Sequence, residues 1–199
     1  MTAVVTTHPR VLVCGVGALG SNAVNAMRNL EATLVLIDGD RVESKNLLAQ
    51  AYVKASVGKL KADALKLQIA NFYGLKVEAH AVRVAETNVE TLLAGANLLV
   101  DAFDNAASRR LLSTYARAQE VPLVHAGIAG DGTFGLVRWD ERFVPDEENA
   151  EGEATCEGGA HLPMISAISS QLALVVQDFL SDGIRRDVMI ARDSVIKTH

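Results

Sequence analysis

The sequence predicts an α/β fold: a Rossmann-like, doubly wound, mostly parallel sheet with an antiparallel C-terminal extension. Three observations predict it. Strand-length and helix-length apolar segments alternate from Arg10 onward. The strand-length segments, such as Val11-Leu12-Val13-Cys14, are continuously apolar instead of alternating, as strands covered on both faces must be. That first segment then runs directly into Gly15-Val16-Gly17-Ala18-Leu19-Gly20, a glycine-rich turn that opens a helix.

Taken in order, Arg10–Gly15 is expected as a buried strand and Ala18–Leu30 as a helix with apolar positions at helical spacing. Thr33–Ile37 is a second buried strand, ending at Asp38. Gly58–Phe72 is amphipathic, with Leu60, Ala64, Leu65, Leu67 and Ile69 set between lysines and an aspartate. Val77–Val84 reads as a third strand, in which Val77, Ala79 and Ala81 alternate against Glu78 and His80. Leu98–Val100 follows as a fourth strand, Ser108–Ala118 as a helix and Leu123–Ala126 as a fifth strand. Glycine-rich turns flank Thr133–Trp139, an antiparallel addition. From Asp140 to Glu153 the chain becomes acidic and helix-poor, which reads as a surface loop within one domain. Pro163–Leu180 is a long apolar helix with proline in its first turn, and Asp187–Lys197 closes with one or two short strands. Neither an internal repeat nor a low-complexity tract interrupts residues 1–199, so a single domain is expected.

Bulk properties agree. A chain of 199 residues suffices for one well-buried α/β domain. Its 49% apolar and 5% aromatic content suits a sheet covered by Ala- and Leu-rich helices. A net charge of −5 argues against a sequence-independent grip on nucleic acid, and no basic run marks a membrane surface. The start lacks a basic n-region, so no signal peptide is expected. The longest apolar stretches are strand-length, so no membrane span is expected either. Cys14 and Cys156 are too few for a disulfide framework and form no zinc pattern, so no structural zinc is expected. A cytoplasmic protein is the default expectation.

Three signals for nucleotide handling then stand in one order: the glycine turn, Leu36-Ile37-Asp38-Gly39-Asp40, and Leu99-Val100-Asp101-Ala102-Phe103-Asp104-Asn105. In a strand–turn–helix, the first glycine makes the turn and the second lets backbone N–H groups approach phosphate. The third lets the helix pack on the strand. Gly15, Gly17 and Gly20 have that context, though a tight turn without ligand has it too. Asp38 sits where an acid bonding ribose hydroxyls is expected, or where a turn aspartate would cap. These two signals alone would indicate a dinucleotide dehydrogenase. Asn46, Lys61 and Asp104 argue for ATP instead, since a doubly wound sheet gathers its strand-end loops around one crevice. There Lys61 could lie along phosphates and Asp104 could hold Mg²⁺. Each also has a plain reading, Lys61 as a solvated helix-start lysine and Asp104-Asn105 as a helix cap.

With these residues in place, the chain resembles the ThiF/MoeB/HesA family, bacterial relatives of ubiquitin-activating enzymes. The likeness runs from about Arg10 to Gly183. It rests on the glycine turn, Leu36–Asp40, Asn46-Leu47 with Gln50, Val57–Lys61, Asp101–Asn105 with Arg109, Pro122–Gly127, and Thr155-Cys156 ahead of the long helix. The resemblance implies that ATP and Mg²⁺ are cofactors and that the C-terminal glycine of a ubiquitin-like or sulfur-carrier protein, ending in Gly-Gly, is adenylated. It implies that Gly15 and Gly17 face the phosphates, Asp38 the ribose, Asn46 and Lys61 the phosphates, and Asp104 the Mg²⁺. Asp40 matches the second acid of the family strand end, and Cys156 the thiol that in some members receives the activated carrier. A homodimer or heterodimer, with no nucleic acid and no membrane partner, completes the expectation.

Three departures from the family pattern stand out. Asn-Leu-x-Arg-Gln reads Asn46-Leu47-Leu48-Ala49-Gln50, so an arginine expected at the phosphates is Ala49. The helix that precedes the first strand in the family, and lends an arginine to the neighbouring subunit, is essentially missing, and Lys59, Arg41 or an arginine from a partner are the stand-ins to consider. The paired Cys-x-x-Cys motifs are missing too. The alternative reading is therefore a catalytically weakened nucleotide-binding or dimerisation module acting with a partner, and, behind it, an NAD-dependent oxidoreductase. The histidines form no metal cluster in the sequence: His8 and His199 lie at the ends, His80 on a strand, His125 at a strand end near the crevice, and His161 ahead of the long helix near Cys156.

Overall fold

A computed structural model of the chain describes residues 8–144, 159–192 and 194–198. Its strands are β1 (Arg10–Cys14), β2 (Thr33–Ile37), β3 (Glu78–His80), β4 (Leu98–Asp101), β5 (Leu123–Ile128), β6 (Phe134–Trp139), β7 (Asp187–Ala191) and β8 (Ser194–Thr198). Its helices are α1 (Ala18–Met27), α2 (Lys61–Tyr73), α3 (Val89–Leu92), α4 (Ala106–Ala118) and α5 (Leu162–Asp182). All eight strands form one sheet in the order β3-β2-β1-β4-β5-β6-β7-β8. Pairs from β3 through β5 are parallel, and β5–β6, β6–β7 and β7–β8 are antiparallel. This is the doubly wound sheet with an antiparallel C-terminal extension that the sequence predicts.

Alternate residues of each parallel strand feed two cores. Val11, Val13, Leu34, Leu36, Leu98 and Val100 face α1, α2 and α5. Leu12, Cys14, Val35, Ile37 and Leu99 face Val89, Leu112 and Tyr115 of α3 and α4. Strand order reverses between β1 and β4, which leaves a crevice at the carboxyl ends of these strands.

Boundaries differ from expectation for local reasons. Helix α1 stops at Met27, not Leu30, where the Leu30 amide bonds the Met27 carbonyl in a tightened last turn. Helix α2 starts at Lys61 because Gly58 has φ +85° and donates its amide to Val42, which a helix does not allow. Strand β3 is an edge strand with β2 as its one neighbour and is cut short at His80, not Val84. There Asn88 turns back and bonds the Arg83 carbonyl and the Ala85 amide. The acidic 140–153 segment opens on a 3₁₀ turn, Asp140–Arg142, whose Asp140 is buried. That corrects the reading of its first residues as surface loop, while 145–153 lies outside the described residues. Helix α5 is long and apolar enough, by length and composition, to cross a membrane, against the expectation of strand-length apolar stretches alone. In this fold Ile165, Ile168, Leu172 and Val176 bury one of its faces in the core shared with α1.

Candidate functional site

The crevice at the switch point has a volume of about 310 Å³, at the small end of the roughly 300–1,000 Å³ usual for small-molecule sites. Gly15, Gly17, Asp38, Asp40, Lys61 and Asp104 all line it. Six residues expected from the sequence thus meet although they come from separate segments.

The glycine turn is built as its spacing demands. Gly15 has φ +86°, and a Cβ there would lie 2.9 Å from the Ala102 carbonyl, so neither backbone nor space admits a side chain. Around Gly17 there is open space. A Cβ on Gly20 would fall 1.9 Å from the Gly15 carbonyl oxygen. Gly20 is therefore the helix-packing glycine, and it does not line the crevice. Tyr52, which the sequence reading passed over, holds the turn from below: its buried hydroxyl donates to the Val16 carbonyl at 2.6 Å. Burial, with Asp38 nearby, pushes its phenol well above the ordinary value, so it stays a donor.

Asp38 is buried and accepts from the Val16 amide at 2.9 Å through Oδ2 and from the Asp40 amide at 2.8 Å through Oδ1. Each oxygen retains a lone pair for another donor. Burial raises its carboxyl above the usual value, against the opposing pull of the Asp40 amide, the Lys61 charge and the Val16 amide. Lys61 is brought alongside by backbone pairing between residues 40–42 and 58–61, including its own amide to the Asp40 carbonyl at 2.8 Å. Its ammonium lies 3.5 Å from Asp40 Oδ2. Asp40 Oδ1 accepts from the Arg83 guanidinium at 2.8 Å, so one carboxylate holds two cations on the crevice wall.

Arg83 was missed because the expected third strand ran through it. With β3 ending at His80, Arg83 sits on a loop that lines the crevice. The stand-ins Lys59 and Arg41 do not line it, and Arg41 instead bonds the Gly58 carbonyl.

Asp104 is exposed at the crevice, on the turn that leads into α4. The cap of that helix is Asn105, whose Oδ1 accepts from the Ser108 amide at 2.9 Å. Capping thus leaves the Asp104 carboxylate without a side-chain or backbone partner among the described residues. Among the described residues no group of three or more metal-ligating side chains exists. Mg²⁺ ordinarily binds through one or two carboxylates plus phosphate oxygens and waters.

Two expected phosphate positions are not in the crevice. Asn46 is buried, and its Oδ1 accepts from the Glu43 amide at 2.8 Å, where it caps the 3₁₀ turn Ser44–Leu48. Ala49 is 1% exposed and belongs to the main core cluster, with its carbonyl accepting from Asn22 Nδ2. Asn46 and Ala49 thus both point into the protein, while Leu48 between them is exposed, and neither of the two lines the cavity. Cys156 lies outside the described residues. Cys14 is a buried core thiol, pushed well up by burial and by neighbouring Asp101. His161 is half-buried against the Gly132 turn, away from the crevice lining.

Fold and crevice together define a Rossmann-like domain with a phosphate-type glycine turn at its switch point. A family model described as "ThiF family" matches residues 5–185, and the chain belongs to that family. The SAMP-activating enzyme E1 of Haloferax volcanii is 35% identical over 122 residues, covering 60% of this chain and 45% of that protein. The adenylyltransferase and sulfurtransferase uba4 of Pyricularia oryzae is 34% identical over 152 residues, covering 75% of this chain and 29% of its own. E. coli MccB, in a crystal structure with MccA-N7isoASN, superimposes with a TM-score of 0.77 at 17% identity, over 96% of this chain and 64% of its own. That likeness is one of fold. The chain spans less than half the length of these two curated relatives.

Proposed function

We propose that the chain binds ATP with Mg²⁺ in this crevice and adenylates the C-terminal carboxylate of a ubiquitin-like or sulfur-carrier protein, or of a peptide. The observation that carries the reading is the convergence of Gly15, Gly17, Asp38, Lys61 and Asp104 on one cavity. The names of the relatives, an E1 and an adenylyltransferase, support the same reaction class.

In this reading the backbone of the Gly15–Gly17 turn and the positive end of α1 take phosphate. Asp38 accepts the ribose hydroxyls with its remaining lone pairs. Lys61, already held at the wall by Asp40, meets the phosphates as a point charge. Asp104 would hold Mg²⁺, which neutralises phosphate charge when bound. A carboxylate oxygen of the partner forms a bond to the α-phosphorus, the bond from that phosphorus to the bridging oxygen breaks, and pyrophosphate leaves with the electron pair. No proton moves, so the protein's contribution is positioning and charge dispersal. A later transfer to Cys156 and assembly as a homodimer or heterodimer belong to the same proposal.

The second reading, a weakened or inactive module completed by a partner, is favoured by one observation. Where the family places an arginine, Ala49 is sealed in the core. Two measurements separate the readings. Calorimetry with ATP–Mg²⁺, AMP and NAD⁺ tests the ligand, and a clear preference for NAD⁺ would overturn both. ATP–pyrophosphate exchange, with and without small proteins ending in Gly-Gly, tests the reaction. Tight ATP binding without exchange selects the module.

A further inference from the structure

Behind the crevice a row of side chains crosses the sheet. Cys14 of β1, Asp101 of β4, His125 of β5 and Arg138 of β6 are register neighbours. Asp101 and His125 are fully buried. His125 Nδ1 lies 2.7 Å from Asp101 Oδ2, and its Nε2 lies 3.0 Å from Asp140 Oδ1. Carboxylates only accept, so both contacts are hydrogen bonds when both ring nitrogens carry protons. The Phe143 ring stacks on the imidazole at 3.9 Å, and the Arg109 guanidinium lies over the same ring.

Each carboxylate has a second task. Asp101 Oδ1 accepts from the Phe103 amide at 3.0 Å, and Arg109 bonds the Phe103 carbonyl while its Nε lies 3.8 Å from Asp101. These contacts set the 101–105 turn that carries Phe103, Asp104 and Asn105 to the crevice. Asp140 accepts from Ser113 Oγ at 2.5 Å and Arg117 Nε at 2.6 Å. It stands at the start of the 3₁₀ turn from which the chain runs on toward residues 145–158.

We propose that His125 is a positioning residue for the crevice: bonded on both ring nitrogens, it braces the 101–105 turn against the Asp140 corner, and losing its second proton slackens that brace. The effect on nucleotide affinity rests on the ATP reading. The brace itself does not.

The surrounding charges favour the protonated ring. Asp101 faces it from β4 and Asp140 from the 3₁₀ turn, opposed by Arg109 and Arg117 from α4. Arg138 on β6 points its charge toward Asp187 at 3.9 Å, and the buried Cys14 thiol on β1 stays neutral. Burial alone would lower the His125 pKa, but its hydrogen bonds to Asp101 and Asp140 and their charges raise it above 6.5. Burial would likewise raise Asp140, yet bonds from His125, Ser113 and Arg117 bring it down to about 2. A raised native histidine pKa contributes fully below the unfolded value and loses that contribution as pH rises through the native value. The brace therefore fails on the alkaline side.

The test reads the protein without nucleotide. Nitrogen-15 shifts report the His125 titration, and hydrogen exchange at the Phe103 amide, corrected for its intrinsic pH dependence, reports the turn. Phe103 protection should fall about tenfold through the His125 midpoint. Asp140→Asn should move both midpoints to lower pH and Arg117→Gln should move both to higher pH, opposite shifts that loss of packing alone does not produce. If Asp140→Asn fails to fold, the Arg117→Gln variant, at an exposed position, still decides. Phe103 protection that ignores the His125 titration, or midpoints that stay put in Arg117→Gln, would overturn the brace. ATP–Mg²⁺ affinity should then drop about three- to tenfold across the same midpoint. Absence of ATP binding with Phe103 still following His125 would remove the nucleotide reading and support the brace.

Discussion

Replacing Lys61 with methionine separates a phosphate contact from a structural one, because two effects of different size hang on the same ammonium. Its stem is largely buried while Asp40 is about half exposed, with side-chain exposures of 11% and 49%. A half-exposed ion pair is worth about 0–1 kcal/mol. Asp40 also keeps Arg83 at 2.8 Å, so its charge stays compensated when Lys61 goes. For a chain of this length the melting temperature should drop by at most about 2–4 °C. A charge-assisted contact to phosphate is worth about 1.5–3 kcal/mol, which is about 10- to 150-fold in affinity. Calorimetry should therefore show Lys61→Met losing about 10- to 150-fold on ATP–Mg²⁺ but only a few-fold on AMP, which lacks the β- and γ-phosphates. Equal losses on both ligands would refute the argument, because Lys61 would then act by shaping Asp40 and Asp38 and not by touching the outer phosphates.

Asp38→Ala should weaken ATP and AMP alike, since both present ribose hydroxyls. It should also cost about 1–3 kcal/mol of stability in chemical denaturation, because the Val16 and Asp40 amides lose their acceptor. Asp104→Asn should leave the melting temperature unchanged while abolishing most Mg²⁺-dependent pyrophosphate exchange. Asn105→Ala, which removes the actual cap, should instead cost about 0.5–2 kcal/mol. Ala49→Arg should lower stability by more than about 1–3 kcal/mol and give no gain in exchange, because it forces a charge and a long side chain into a site that is 1% exposed. A stable variant with faster exchange would show that the 46–50 segment can turn outward.

What the sequence disclosed depends on which residues obey a local rule. Strands β1, β2 and β4 were legible because burial on both faces leaves an unbroken apolar run. Gly15 and Gly20 were legible because a positive φ and a backbone clash each exclude other residues. Lys61 and Asp104 both line the crevice, since strand-end loops converge there in any doubly wound sheet. Asn46, expected at the phosphates, does not line the cavity, because spacing says nothing about rotamer and its Oδ1 accepts from the Glu43 amide of its own turn. Arg83 was hidden by a strand expected to run four residues too far, from His80 to Val84. His125 left no trace beyond an expected place at a strand end near the crevice, whereas β5 runs on to Ile128 and leaves it fully buried inside the strand. Its partners are 24 and 15 residues away in sequence: the register of β4 against β5 brings Asp101 to it, and the antiparallel pairing of β5 with β6 brings Asp140.

The charges on the crevice wall carry the last step. Asp38, Asp40 and Asp104 contribute three carboxylates and Lys61 and Arg83 two cations, so the lining is not electropositive before any ligand arrives. A bare triphosphate would enter against that balance, and both cations are already engaged by Asp40. The α1 end and the turn amides offset part of the cost, at about 0.3–1 kcal/mol for a partial helix charge, which is too little for a triphosphate. A divalent cation carried on the phosphates reverses the sign of the problem: it brings positive charge to the exposed Asp104, the one lining carboxylate with neither a backbone amide nor an ion pair among the described residues. On the proposed reading the acidic wall is therefore what makes this crevice choose the metal complex of a nucleotide over the free nucleotide. The cluster of Asp101, His125 and Asp140 behind it keeps the turn bearing Asp104 in register with that wall.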